Sequence, residues 1–446
     1  MLKFCCKSVK YIMILKTIFP KEISIFQLAF CTLIYRSLLD LVFWFYLDPK
    51  YAYMGFELNQ SIVSYLVSYL GLFSIFYLVP KFKSKPSSII YQFFFLMVYV
   101  PFTSYYGMTS SDILWFVLFT LFWALVGTII HVIKPPEIKK TIKTSKRLLF
   151  YISIIFCFIV FGLIFYFGNI HFNLDLLKVY ELRALKPMGG VPFGGYLITW
   201  CAKIILPFLI LFSWIYFKGV LRYTSLFFIL LLFILFTLTG MKVYLFSIPA
   251  ILSIYVLLKT KNFLFYFQLA LISFVFLGLI LFLAFEKDLV ASLLVRRTLF
   301  IPAQLSFYYY DFFNGEPILL SNSIFESLVQ YPYELDPSHM IAKEYFNKPE
   351  MSANNGIIAD GFMHFGVIGI LIWSFLFSAL LKLFDGISAN KNQQFIIPIL
   401  VIALKSMSDS ALLTSMLTHG IIILIILVYL LPSTIQSNDK NKTVDS

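Results

Sequence analysis

The sequence predicts an all-α polytopic membrane protein of about twelve transmembrane helices, with a large, partly helical extracytoplasmic loop. Three observations lead there. Of the 446 residues, 60% are hydrophobic and only 13% charged, about half the charge of a soluble chain. Apolar runs of about 20 residues, the length that crosses a bilayer, recur along the chain. The basic residues fall mainly in the short segments between those runs, where they set orientation.

Residues 1–24 carry Lys3, Lys7, Lys10, Lys16 and Lys21 without one apolar core followed by a small-residue cleavage site. They read as a basic cytoplasmic segment lying against anionic lipid. Nine spans follow within 25–285, at about 25–47, 61–80, 89–106, 113–133, 148–168, 195–216, 223–239, 242–258 and 263–285. Three more lie within 362–432, at about 362–383, 395–412 and 416–432. The seventh and eighth, and the last two, are short and tightly joined, so each pair also fits a broken or re-entrant element. The polar tail, 433–446, is expected to be cytoplasmic and disordered.

With the N-terminus inside, the even-numbered loops and the two tails hold 22 of the 35 basic residues. The odd-numbered loops collect acids, among them Asp48, Glu57, Asp112, Asp175 and Glu181. Both termini are therefore expected inside, and the net charge of +13 is a topology signal, not a nucleic-acid footprint. Two outward loops stand out by length, 169–195 and 286–361. The second is rich in aromatic and aliphatic residues. It holds an amphipathic stretch interrupted at Pro302 and a short helix, DPSHMIAKEYF, capped near Asp336. The five cysteines, Cys5, Cys6, Cys31, Cys157 and Cys201, avoid that loop, so no disulfide is expected there. No Walker A loop, dinucleotide-binding glycine fingerprint, HExxH or CxxC is present, which argues against an ATP-driven pump or a metalloprotease.

Arg183, Lys186, Lys242, Arg296 and Arg297 fall on the outward side, against the positive-inside bias. Arginine forks suit phosphate, and the competing reading pairs them with Glu181, Glu286 or Asp288. Arg36 and Asp40 in the first span, Lys405 and Asp409 in the eleventh, and Lys203 in the sixth are charges inside apolar segments. Each reads either as a structural pair or as part of a polar cavity. Asn354, Asn355, Asp360 and His364 cluster where the large loop enters the tenth span, suited to sugar hydroxyls or to a helix cap. His339 on the loop helix is either a general base or a spectator, with Asp311, Asp336 and Glu344 as other candidate bases.

Four stretches carry a resemblance: VRRTLFIPAQLSFYYYDFF (295–313), YELDPSHMIAKEYF (333–346), SANNGIIADGFMHFGVIGI (352–370) and LTGMKVYLFSIP (238–249). Together with the topology they resemble the bacterial O-antigen and capsular polysaccharide repeat-unit polymerases, the Wzy-type enzymes. The resemblance implies a GT-C-like, inverting glycosyltransferase of the inner membrane, using undecaprenyl-pyrophosphate-linked oligosaccharide and no nucleotide, metal or other cofactor. A flippase and a chain-length regulator would be its partners. In that scheme Arg296 and Arg183 hold the pyrophosphate, assisted by Arg297 and Lys242. Asn354, Asn355 and Asp360 contact sugar, and His339 is the base. An O-antigen ligase sharing the same donor, or a non-enzymatic flippase, are the alternatives.

Overall fold

The computed structural model describes residues 23–79, 85–138, 144–168, 191–260, 262–323 and 329–433. Every regular element among them is helical. In chain order these are α1 (Ile25–Met54), α2 (Ile62–Phe76), α3 (Pro86–Thr109), α4 (Ile113–Val132), α5 (Lys146–Phe167), α6 (Gly194–Tyr216), α7 (Gly219–Thr239), α8 (Lys242–Leu257) and α9 (Phe263–Phe285). Then come α10 (Ala291–Phe300 running on as Ile301–Phe313), α11 (Pro337–Phe346), α12 (Ile357–Ser388), α13 (Gln393–Leu404), α14 (Leu412–Leu417) and α15 (Ile421–Leu430).

Capping residues start several helices. Ser24 accepts from the Gln27 N–H, and the Gln27 side chain accepts from the Ser24 N–H in return. Ser61, Asp112 and Ser145 cap α2, α4 and α5 from one side only, each side chain accepting from a first-turn N–H. Among the described residues, eight helices (α1, α3, α4, α5, α6, α7, α9 and α12) are long and apolar enough to cross a membrane. Four more apolar helices of 10–17 residues (α2, α8, the α13 region and α15) occupy the remaining predicted stretches. Their outward faces are apolar, as on α5, where Ile152, Ile155, Phe158 and Ile159 are exposed.

Four wide, π-helical turns interrupt the helices: Phe43–Leu47, Phe95–Tyr99, Cys201–Ile205 and Ala291–Phe300. Each is followed, two residues on, by a proline: Pro49, Pro101, Pro207 and Pro302. Proline has no N–H for the carbonyl four residues back, and its ring crowds that carbonyl. A wider turn just ahead accommodates both defects without ending the helix. Pro302 thus does not interrupt the amphipathic stretch; the helix runs through it.

The centre of the bundle is α12, packed against α4, α3, α10 and α15. The fully buried Arg36 pins α1 to α2 and α3. It donates to the Ser68 hydroxyl at 3.1 Å and the Thr103 carbonyl at 2.9 Å, and pairs with Asp40. Asp40 also accepts from Ser104, Tyr65 and Tyr69. At one end of the bundle Asp385 accepts from the N–H and hydroxyl of Ser87, tying α12 to the start of α3. Lys391 closes α15 by donating to the Val428 and Tyr429 carbonyls at 2.6 and 2.8 Å. Lys382 and Lys391, counted from sequence among loop charges, are therefore buried residues with structural partners. Cys31, Cys157 and Cys201 are buried free thiols.

The tenth predicted span, 362–383, does not run straight in from the loop. Its helix begins earlier, at Ile357, and reverses at Phe365–Gly366, where Gly366 takes a positive φ of 58°. Thirteen residues of straight helix span about 20 Å, yet the Trp373 indole donates to Asp360 at 2.9 Å. The FGxxG pattern is the signature of this reversal. Gly366 supplies the backbone angle, and a Cβ on Gly369 would stand 1.8 Å from the Gly361 carbonyl oxygen. Gly369→Ala is accordingly expected to cost about 3 kcal/mol, since backbone, not a side-chain tip, must give way. An unchanged unfolding midpoint in detergent would contradict the reversal.

Candidate functional site

α10 is the element on which most of the predicted site residues converge. It starts beside the last turns of α9 and α1 and continues past α3 to α12. Burial explains this placement. Val295, Leu299, Phe300, Ala303, Phe307, Tyr310 and Phe313 are all buried, so the apolar stripe of the amphipathic sequence faces the bundle. Phe307 stacks on Phe102 at 5.1 Å, and Trp115 stacks on Tyr310 at 5.2 Å while donating to Ser306 at 3.1 Å. The predicted outer segment is thus half core and half surface.

Arg296 lies near the start of α10. Its guanidinium sits 4.2 Å over the ring of Tyr51, and its Nη2 reaches the Ser292 hydroxyl at 3.5 Å. Its Nε is buried with no protein acceptor. Beside it, Lys50 at the end of α1 pairs with Asp288. The Tyr46 hydroxyl lies 3.4 Å from the same carboxylate and 3.3 Å from the Tyr51 hydroxyl. Asp288 neutralises one of the two cations and leaves the group with a net positive charge. The Lys50 and Asp288 side chains keep 44% and 32% of their surface, so the group is open at one side. Stacked and hydrogen-bonded, the arginine is held with its buried Nε unspent, a geometry suited to a phosphate oxygen. Arg297 follows on the exposed face. The alternative read from sequence, that acids of the loop pair with the outward cations, applies to Lys50, not to Arg296. Lys50 itself went unnoticed, although it breaks the positive-inside bias in the same way as Arg296.

Twelve residues along α10, about 18 Å at the helical rise, a second polar neighbourhood forms. Tyr308 stacks flat on Tyr345 of α11, with centroids 4.2 Å apart. Tyr345 donates to Asp311 at 2.6 Å. Burial, and then the Asp311 carboxylate, push the Tyr345 hydroxyl pKa up, so it remains a donor across the physiological range. This contact seats α11 on α10. His339, on α11, is half-buried and lies 4.0 Å from Asp336. The Ser338 carbonyl takes the Ala353 N–H at 3.0 Å, and Tyr309 donates to the Ala353 carbonyl at 2.9 Å. Asn354 and Asn355 are thereby placed beside the His339 turn. Asn354 is exposed and accepts from Ser352, whereas Asn355 is buried with its Nδ2 donors unpartnered. Gly356, not either asparagine, occupies the cap position of α12, so the capping alternative falls away.

Gly55 joins the two neighbourhoods. Its φ is 84°, its carbonyl accepts from Tyr105 at 3.1 Å, and a Cβ there would meet the Tyr308 hydroxyl at 1.8 Å. Gly55→Ala should cost about 2 kcal/mol or more, from backbone strain plus overpacking. It should also expose the 286–356 segment to protease; wild-type cleavage kinetics would refute this.

The remaining expectations fare differently. Asp360 is 2% exposed and accepts from the Trp373 indole and from the Leu412 N–H at 3.0 Å. His364 Nδ1 accepts from the Leu320 N–H, so its Nε2 carries the proton and faces Asp360 at 3.4 Å. Asp360 is an internal pin of the reversal and has no face open to a sugar. Lys242 opens α8, which packs along α13 and α7. Arg183 and Lys186, with most of the loop 169–195, lie outside the described residues. Arg296 lies near the start of α10, whereas His339 is on α11, which seats on α10 about three turns farther along through Tyr308, Asp311 and Tyr345, so the structure does not bring them together as base and phosphate ligand.

Helices and site together define a multi-pass, all-helical membrane protein with a polar, net-positive group at one end of the bundle. Compared with family models, with curated proteins and with solved structures, the chain matches none.

Proposed function

We propose that this protein is a membrane-embedded glycosyltransferase that polymerises undecaprenyl-pyrophosphate-linked oligosaccharide repeat units at the outer face of the bacterial inner membrane. In this reading the four shorter apolar helices complete twelve spans, both termini are cytoplasmic, and the α10 end of the bundle faces outward. The observation that carries it is the Arg296 group: a stacked arginine with an unspent buried Nε, beside Lys50 at the end of α1. A lipid pyrophosphate is a leaving group for which such cations stabilise developing charge. The tyrosine-rich second station, about 18 Å away, suits the sugars farther along the oligosaccharide. Asp288, beside Arg296, is a better-placed proton acceptor for a hydroxyl attacking next to the pyrophosphate than His339 is.

A second reading has its own observation. The interrupted helices α12 and α13–α15 are of the kind that transporters use for substrate sites, which favours a lipid-linked oligosaccharide flippase. One experiment separates the readings. Purified protein in vesicles with undecaprenyl-pyrophosphate repeat units should yield longer glycans. Translocation of unextended units without elongation would establish the flippase instead. Transfer only when lipid A core is added would establish a ligase.

A further inference from the structure

The last two predicted spans form a hairpin that stops part-way. α13 has 12 residues and α15 has 10, about 18 and 15 Å of helix against the roughly 30 Å of a hydrocarbon core. Lys391 at the start of the hairpin donates to Val428 and Tyr429 at its end, so both arms open at the same face. The tip, residues 405–420, therefore lies inside the bundle. Its sequence, KSMSDSALLTSMLTHG, is polar where its surroundings are apolar. Irregular backbone at this depth persists where it is buried in protein or lines a cavity.

The tip meets α6. Trp200 donates to the Leu417 carbonyl at 2.7 Å, and Lys203 Nζ lies 2.9 Å from His419 Nδ1. His419 Nε2 lies 3.2 Å from the Ser410 hydroxyl. Lys405 pairs with Asp409 across one helical turn. The proton positions follow from the chemistry of the partners. An ammonium only donates, so His419 Nδ1 accepts, the ring is neutral, and its proton sits on Nε2, directed at Ser410. Ser410 then receives at its oxygen and has its own proton to give. The chain Lys203, His419, Ser410 ends in a donor. Two ammonium groups against one carboxylate leave the cluster at +1. The Lys405 and Asp409 side chains keep 28% and 44% of their surface, so the cluster is open, not sealed.

We propose that this cluster, with Lys203, Lys405 and Ser410 as donors, is a binding site for a phosphate-class anion within the bundle. The chemistry is common to a phosphorylated lipid head and to a free phosphate or pyrophosphate. The cluster shares no residue with the Arg296 group, and the inference needs no glycosyl transfer. Asp409 holds Lys405 in place while opposing the ligand's charge, so it limits affinity; this distinguishes an anion site from a structural ion pair.

The test uses the full chain in nanodiscs, with isothermal titration calorimetry as the readout. Inorganic pyrophosphate is titrated in one arm and polyprenyl monophosphate in another, with acetate as the carboxylate control. Saturable binding is expected in at least one phosphate arm; the lipid arm alone would identify the head group as the source, the pyrophosphate arm a free anion. Lys203→Ala and Lys405→Ala should each weaken it by about tenfold or more, Lys203→Arg should retain it, and Asp409→Asn should tighten it. Asp409→Asn keeps the side-chain shape at a position 44% exposed, so it decides the matter even if the lysine variants do not fold. Weaker binding in Asp409→Asn, equal affinity for acetate, or no binding in either phosphate arm would overturn the proposal.

Discussion

Replacing Arg36 by leucine should destabilise the bundle by about 3–5 kcal/mol, because it leaves Asp40 ionised, 6% exposed and without its partner. The guanidinium also joins three helices through Ser68 and Thr103, so the change removes bonds from both α2 and α3. A buried pair differs from a buried charge in what its removal costs. The double change Arg36→Met with Asp40→Leu should recover most of the loss, since apolar packing can replace a buried ion pair at little or no cost. Equilibrium unfolding in mixed micelles measures both. A single-variant loss below about 1 kcal/mol would point to a pair that is hydrated, not structural. No effect on substrate use is expected beyond the loss of folded protein, which separates this pair from a functional one.

Arg296→Ala should abolish polymer while leaving protein level and membrane insertion intact. The stacking on Tyr51 contributes only about 1 kcal/mol to stability at a partly exposed site. Removing a preorganised cation from a developing pyrophosphate charge, by contrast, costs about a hundredfold or more in rate. Arg296→Lys should restore little, because an ammonium keeps the charge but loses both the planar stacking and the fork. Arg183→Ala is expected to act in the same direction. Glycan ladders from complemented cells provide the measurement. A normal ladder in the Arg296→Ala strain would remove this residue from the site.

Much of the molecule was legible in its residues. The apolar runs located the helices, the charge bias singled out Arg296, and the patterning of 286–361 foretold the helices α10 and α11. Lys50 was legible by the same charge argument and was missed because it sits at the end of a span, next to Pro49, outside the long loop. The Arg36–Asp40 pair was visible as a spacing, but spacing is silent on whether Ser68 and Thr103 would close around it.

What the sequence determines by itself is what depends on local chemistry and the bilayer: helical spans, because unpaired backbone cannot lie in hydrocarbon, and helix starts, because capping needs only neighbouring residues. What tertiary structure decided is where polar groups meet across the chain. Asp360 looked like a sugar ligand until Trp373 and Leu412, 13 and 52 residues away, supplied its partners. Arg296 and His339, both assigned to one reaction, stand on different helices, Arg296 near the start of α10 and His339 on α11. Lys203 joined His419 from 216 residues away. A side chain's role depends on the groups within a few ångströms of it, and in a helical bundle those groups come from distant helices whose pairing no single segment encodes.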